Sequence, residues 1–267
     1  MIDLDLIRGY FPQQIRDNAQ FGKNMLKEYI QLMILDYLSS TPYIRKMVFI
    51  GGTNLRLVKG IDRFSEDLDF DCKDMTREEF MSMTDDVLVF LQRSGLNAIT
   101  KDKESDKLTA FRRNIHFPRL LFDMGLTGHR DQRFLIKIES QDQGVEYNPV
   151  IVNVKGCGLF FPVPVPPENV LCSMKLAALL ARGKGRDFYD AMFILGFAQP
   201  DYEFLRKRCG IGSPQELKKS IDEVLNRTNL DIKKKDFEHL LFNRHNSEKI
   251  TRFREFIQAA ISQDDIS

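Results

Sequence analysis

The sequence has no tryptophan, only four cysteines in 267 residues, and no excess of either charge, with 39 Lys+Arg against 38 Asp+Glu. Each shortage excludes something. Cys72, Cys157, Cys172 and Cys209 stand far apart with no C-x-x-C pair. Neither a disulfide framework nor a cysteine zinc site is expected, and the thiols read as buried and reduced. A net charge of +1 excludes a protein that coats nucleic acid through bulk basicity, though a local basic groove stays open. No run reaches the ~18–20 apolar residues of a membrane helix. The opening MIDLDLIRGYFPQQ is acidic and broken by Gly9 and Pro12, unlike a signal peptide. A soluble, cytoplasmic protein with no membrane partner is therefore expected. His116, His129, His239 and His245 share no metal-ligand spacing and read as structural or surface residues.

With 43% hydrophobic and 29% charged residues, the chain can bury a real core, and its length suits one large domain or two modest ones. Apolar residues at helical intervals predict a helix over 13–37. The short apolar run Met47–Ile50, followed at once by Gly51-Gly52, reads as a buried strand entering a tight turn. A short helix over 53–58 and a second strand over 64–72 follow. Thr76 with Glu79 three residues on is a capping-box pattern for a helix ending near Arg93. Strands are expected over 109–117, 134–139 and 150–154. Phe160–Pro167 carries four of the ten prolines and reads as a linker at a domain boundary. Beyond it the pattern is helical: 168–182, 187–197, 202–209, 214–226, 234–243 and 247–262.

Two segments carry chemistry. In the first, fourteen residues separate Gly52 from Asp67-Leu68-Asp69. Residues two apart on a strand share a face, so Asp67 and Asp69 project together, with Asp71 a step further along as a supporting or exposed group. Adjacent carboxylates repel unless a cation intervenes, which suits them to Mg²⁺. A glycine turn opening a helix lets a phosphate approach unpaired N–H groups. Glu139, ending an apolar strand, is the candidate third acid. Taken singly, each of these features has a bland reading, such as an edge strand with its acids in solvent; their joint spacing favours a site. The second segment, KLAALLARGKGRDFYD from Lys175 to Asp190, reads from composition alone as an amphipathic helix pair.

Gly51-Gly52-Thr53, the string RFSEDLDF from Arg63 to Phe70, Lys175, and RDFYD from Arg186 to Asp190 together resemble the AbiEii/AbiGii toxin family. These are nucleotidyltransferases of the DNA polymerase β-like superfamily. The resemblance covers roughly residues 45–195. It implies an α+β fold, a small mixed β-sheet nucleotidyltransferase core flanked by helices and followed by an all-α C-terminal region. The domains would be 1–160 for the core, 161–167 for the linker, and 168–267 for a helical domain contributing to the nucleotide site. It implies Mg²⁺ on Asp67 and Asp69, with Glu139 as the third ligand. Gly51, Gly52 and Thr53 would cradle a nucleoside triphosphate. Lys175 would contact its phosphates, assisted by Arg182 or Arg186. Ser65 and Asp187 match functional positions of the family. Implied partners are a tRNA acceptor and a cognate antitoxin. Nucleotidyl or phosphoryl transfer to a protein or small molecule, and a non-catalytic binding module on the same fold, remain as alternatives.

Overall fold

The computed structural model describes residues 2–101 and 110–261, which fall into two compact units. The first comprises Met1–Gly60, Phe64–Asp142 and Val150–Val165, and the second Ile61–Arg63, Gln143–Pro149 and Pro166–Ser267. The expected strand start at Thr109 and helix end at Ser262 lie outside the described residues. Among the described residues no helix is long and apolar enough to cross a membrane.

In the first unit, α1 (Leu4–Gly9), α2 (Gln13–Arg16) and α3 (Gly22–Ser39) lead into β1 (Met47–Ile50), α4 (Gly51–Leu57), β2 (Asp67–Cys72) and α5 (Arg77–Arg93). Then come β3 (Ile99–Thr100), β4 (Phe111–His116), α6 (Leu120–Asp123), β5 (Leu135–Ser140), β6 (Val150–Gly156) and β7 (Leu159–Val165). Five strands form a mixed sheet in the order β1-β2-β5-β4-β3, in which only the β2–β5 pair is parallel. Its apolar face is built from alternate residues, including Leu68, Phe70, Ile136 and Ile138, all at most 1% exposed. Phe49 on β1 stacks obliquely on Phe70, its register partner on β2. The capping box at Thr76 forms as expected: its hydroxyl accepts the Glu79 N–H while Glu79 accepts the Thr76 N–H.

Three expectations for this unit need correction. The helix read over 13–37 is broken, because Asn18 caps a separate turn by accepting the Gln20 N–H, and α3 starts only at Gly22. Phe160–Pro167 is not a linker through most of its length, since Leu159–Val165 pairs with β6 as a two-stranded ribbon. Pro162 and Pro164, two apart, point their ring nitrogens to the same edge, and a ribbon has an outer edge where no N–H is needed. Asp71, for which exposure and a supporting role were the two alternatives, is fully buried, which removes the exposed one.

The second unit is helical: α7 (Glu168–Arg182), α8 (Gly185–Leu195), α9 (Tyr202–Cys209), α10 (Pro214–Asn226), α11 (Leu230–Lys233) and α12 (Phe253–Ala260). The helix read over 234–243 is instead two 3₁₀ turns. Leu241 forms a bridge to Arg63, and the Phe242 N–H donates to the Asp62 carbonyl, which draws the chain out of helical geometry. Likewise Arg244–Arg252 is 3₁₀ before α12 begins. Of the thiols, Cys72 and Cys172 are buried, with pKa pushed up to about 12 by desolvation, whereas Cys209 is exposed, against expectation.

Candidate active site

In the first unit, β1 and α4 meet at Gly51, whose φ of +83° lies in the left-handed region. A Cβ there would also collide with the Asp69 carboxylate, so both backbone and space demand glycine. α4 begins at Gly51, two residues earlier than the sequence suggests, so Gly51, Gly52 and Thr53 form its first turn, where N–H groups lack partners within the helix. Thr53 is fully buried, and its hydroxyl donates to the Asp67 carbonyl, tying the turn to β2. The side chain of Thr53 thus holds the turn in place. Ser65 lies just before β2, with its carbonyl accepting from Gln31 Nε2 at 3.4 Å.

Asp67 and Asp69 alternate with buried Leu68 and Phe70, so both carboxylates project from the polar face of β2. The parallel register places Lys137 beside Asp67 and Glu139 beside Asp69, and the antiparallel register of β4 sets Arg112 beside Glu139. Lys137 Nζ is 3.3 Å from Asp67 Oδ2 and 3.7 Å from Glu139 Oε1. Glu139 Oε1 also lies 2.5 Å from Arg112 Nε, in an ion pair rather than a well-aligned hydrogen bond. Glu139 therefore occupies the expected face, but its carboxylate is engaged by two cations. Lys27 on α3 approaches Glu66 at 4.0 Å; burial lowers its pKa, with Glu66 and Asp67 pulling the other way. Sequence reasoning missed Lys137 and Lys27. Lys137 could have been found from its two-residue spacing to Glu139, whereas nothing local marks Lys27.

Among the described residues, no three acidic, histidine or cysteine side chains gather to form a ready-made metal cluster. The donor set still fits Mg²⁺, a hard cation usually held by one or two carboxylates plus substrate phosphates and water. Asp67 and Asp69 supply two such carboxylates on one face.

The second unit holds the remaining expected residues. Lys175 on α7 is 6% exposed, and its Nζ donates to Asp190 Oδ2 at 3.0 Å. Arg63 meets the same carboxylate as a fork, with Nε and Nη2 each 2.7 Å from an Asp190 oxygen. Burial alone would raise the pKa of Asp190, but Arg63 and Lys175 together hold it below the ordinary carboxylate value. Asp187 is 1% exposed and accepts from the Arg182 guanidinium (2.7–3.2 Å) and from the Lys184 N–H at 3.0 Å. Asp187 thus anchors the start of α8, and Arg186 is half-buried beside it. The partner of Lys175 is Asp190, which sequence reasoning passed over although it ends the RDFYD string. Arg63 opens the other string, and nothing in the sequence signals its pairing across 127 residues.

Two solved structures share this fold. MenT4, a nucleotidyltransferase toxin from Mycobacterium tuberculosis H37Rv, is 17% identical with a TM-score of 0.61, over 99% of this chain and 95% of that one. JHP933 from Helicobacter pylori is 18% identical with a TM-score of 0.53, over 89% and 91%. Among curated proteins none matches the sequence. The family described as "Nucleotidyl transferase AbiEii toxin, Type IV TA system" matches residues 34–265. That span takes in the glycine turn, the Asp67/Asp69 strand and the buried Lys175–Asp190 pair, and the chain belongs to this family of nucleotidyltransferase toxins.

Proposed function

We propose that the chain is a Mg²⁺-dependent nucleotidyltransferase that moves a nucleoside monophosphate from a triphosphate to an acceptor hydroxyl, with tRNA as the acceptor. The observation that carries this reading is the pair of carboxylates on β2 packed against a glycine turn that no other residue can form. The acceptor hydroxyl attacks the α-phosphorus, its proton leaves to a base, and pyrophosphate departs. Divalent cations held by Asp67 and Asp69 would neutralise charge on the attacking and leaving oxygens. The first-turn N–H groups of α4 would receive phosphate oxygens. Asp69, closely flanked by Gly51, is the group assigned to accept the proton. As the family resemblance implies, Lys175 is the cation for the β- and γ-phosphates, with Arg182 and Arg186 assisting. Buried against Asp190, its ammonium is held in one orientation. A cognate antitoxin is the partner expected of a type IV system.

The test is incubation of the purified chain with total tRNA and each α-labelled nucleoside triphosphate, with and without Mg²⁺. Metal-dependent label in tRNA is the expected result, and it also names the nucleotide. Label on protein would move the acceptor to a polypeptide. No label in any fraction would overturn the reading.

A further inference from the structure

The ribbon of β6 and β7 has two unlike edges. Between the register partners Gly156 and Leu159 lie only Cys157 and Gly158, with φ of +49° and +80°, as in a tight type I′ hairpin. Such a turn closes on a hydrogen-bonded pair, and bonded and non-bonded pairs alternate from there. Gly156 with Leu159, Val154 with Phe161, Val152 with Val163 and Val150 with Val165 therefore bond inside the ribbon. Ile151, Asn153 and Lys155 direct their N–H and C=O groups outward. On β7 the outward positions are Phe160, Pro162 and Pro164, so that edge keeps a single N–H. On β6 all three donors are present, and among the described residues none finds a partner outside the ribbon. One edge is blocked by proline and the other is open. The inner face is covered, with Val154, Phe161, Val163 and Val165 at most 2% exposed. On the outer face Ile151 and Phe160 are 67% and 66% exposed, beside exposed Asn153 and Lys155.

We infer that the β6 edge is a self-association site, where a second copy of this chain pairs antiparallel about a two-fold axis through Asn153. The strand sequence VIVNVKG favours that occupant. In this register Asn153 faces its own copy, amide to amide, and Ile151 faces the partner's Lys155. No like charges meet, and the same contacts recur on both sides of the axis, as a two-fold interface demands. Each outward residue exchanges both of its backbone bonds with the partner. A slip by two residues either way leaves an outward residue of each copy facing beyond the strand, so this register alone uses the whole edge. Across the joined ribbons Phe160 and Lys155 continue into the partner's Ile151 and the partner's Pro164, and the Lys155 stem covers apolar neighbours while its ammonium stays in water. The edge stands apart from the transfer reaction, whose carboxylates lie on β2.

Sedimentation equilibrium of the full chain tests the inference over ~1–100 μM, the range in which a small strand interface dissociates. A monomer–dimer equilibrium is the expected result. Ile151→Lys sets like charges opposite one another at both ends of the pairing, and should weaken the dimer about tenfold or more. Ile151→Glu faces the partner's Lys155 instead, and should retain or tighten it. Because Ile151 is exposed, both variants should melt as wild type does when dilute. Opposite responses of the two variants tie the dimer to this edge and this register. A dimer equally stable in both would place self-association elsewhere and overturn the inference. A chain that stays monomeric throughout the range overturns it as well, leaving the open edge to a strand of another protein.

Discussion

Asp190→Ala is expected to destabilise the chain by about 3–5 kcal/mol, a large part of the ~5–15 kcal/mol that folded domains typically possess. The carboxylate removed is 2% exposed and is shared by Arg63 and Lys175, themselves 1% and 6% exposed. Leaving two desolvated cations in a pocket that has lost this anion is costly. Urea unfolding followed by circular dichroism measures the loss; a midpoint unchanged from wild type would refute the network's structural role. Lys175→Met supplies the contrast. It leaves the Arg63–Asp190 fork in place, so it should retain the fold while abolishing transfer. The pH dependence has a definite sign. The folded pKa of Asp190 is depressed, so its contribution is fully present above the unfolded value of about 3.9 and is lost as pH falls through the folded value. The stability gap between wild type and Asp190→Ala should therefore close in acid.

Gly51→Ala should suppress transfer at least ~10²–10³-fold, as much as Asp69→Ala, although it removes no polar group. The added methyl must either displace the Asp69 carboxylate or distort a turn already at φ +83°. The left-handed conformation alone costs an L-residue roughly 1–2 kcal/mol. Gly52→Ala serves as the comparison, because Gly52 is not among the residues with positive φ. Comparing label transfer and melting temperature across the three variants separates the effects. Full activity in Gly51→Ala would show that the turn and the carboxylate are not mechanically linked.

The parts of this protein legible from sequence are those fixed by local rules. Thr76 and Glu79 set the start of α5, Pro214 opens α10, and the two-residue period put Asp67 and Asp69 on one face before any tertiary contact was known. The parts that were not legible depend on register and distant pairing. Lys137 meets Asp67 because β5 runs parallel to β2 at one particular offset, and slipping by a single residue would turn Lys137 to the opposite face. Arg63 and Asp190 are joined across 127 residues. Pro162 and Pro164 misled for a different reason, since proline bars a central strand but not the outer edge of a ribbon.

The row Asp67–Lys137–Glu139–Arg112 alternates in sign across three neighbouring strands, with each charge within ion-pairing reach of the next. Such a face is electrostatically self-sufficient, and assembling the sheet does not wait for a metal. Chelation with EDTA should therefore leave the melting temperature unchanged. If Asp67 holds a divalent cation as proposed, Lys137 would have to give up its place beside that carboxylate, so loading would be an exchange rather than an addition. On the proposed reading, the phosphates arriving with a nucleotide would then decide when the site is charged.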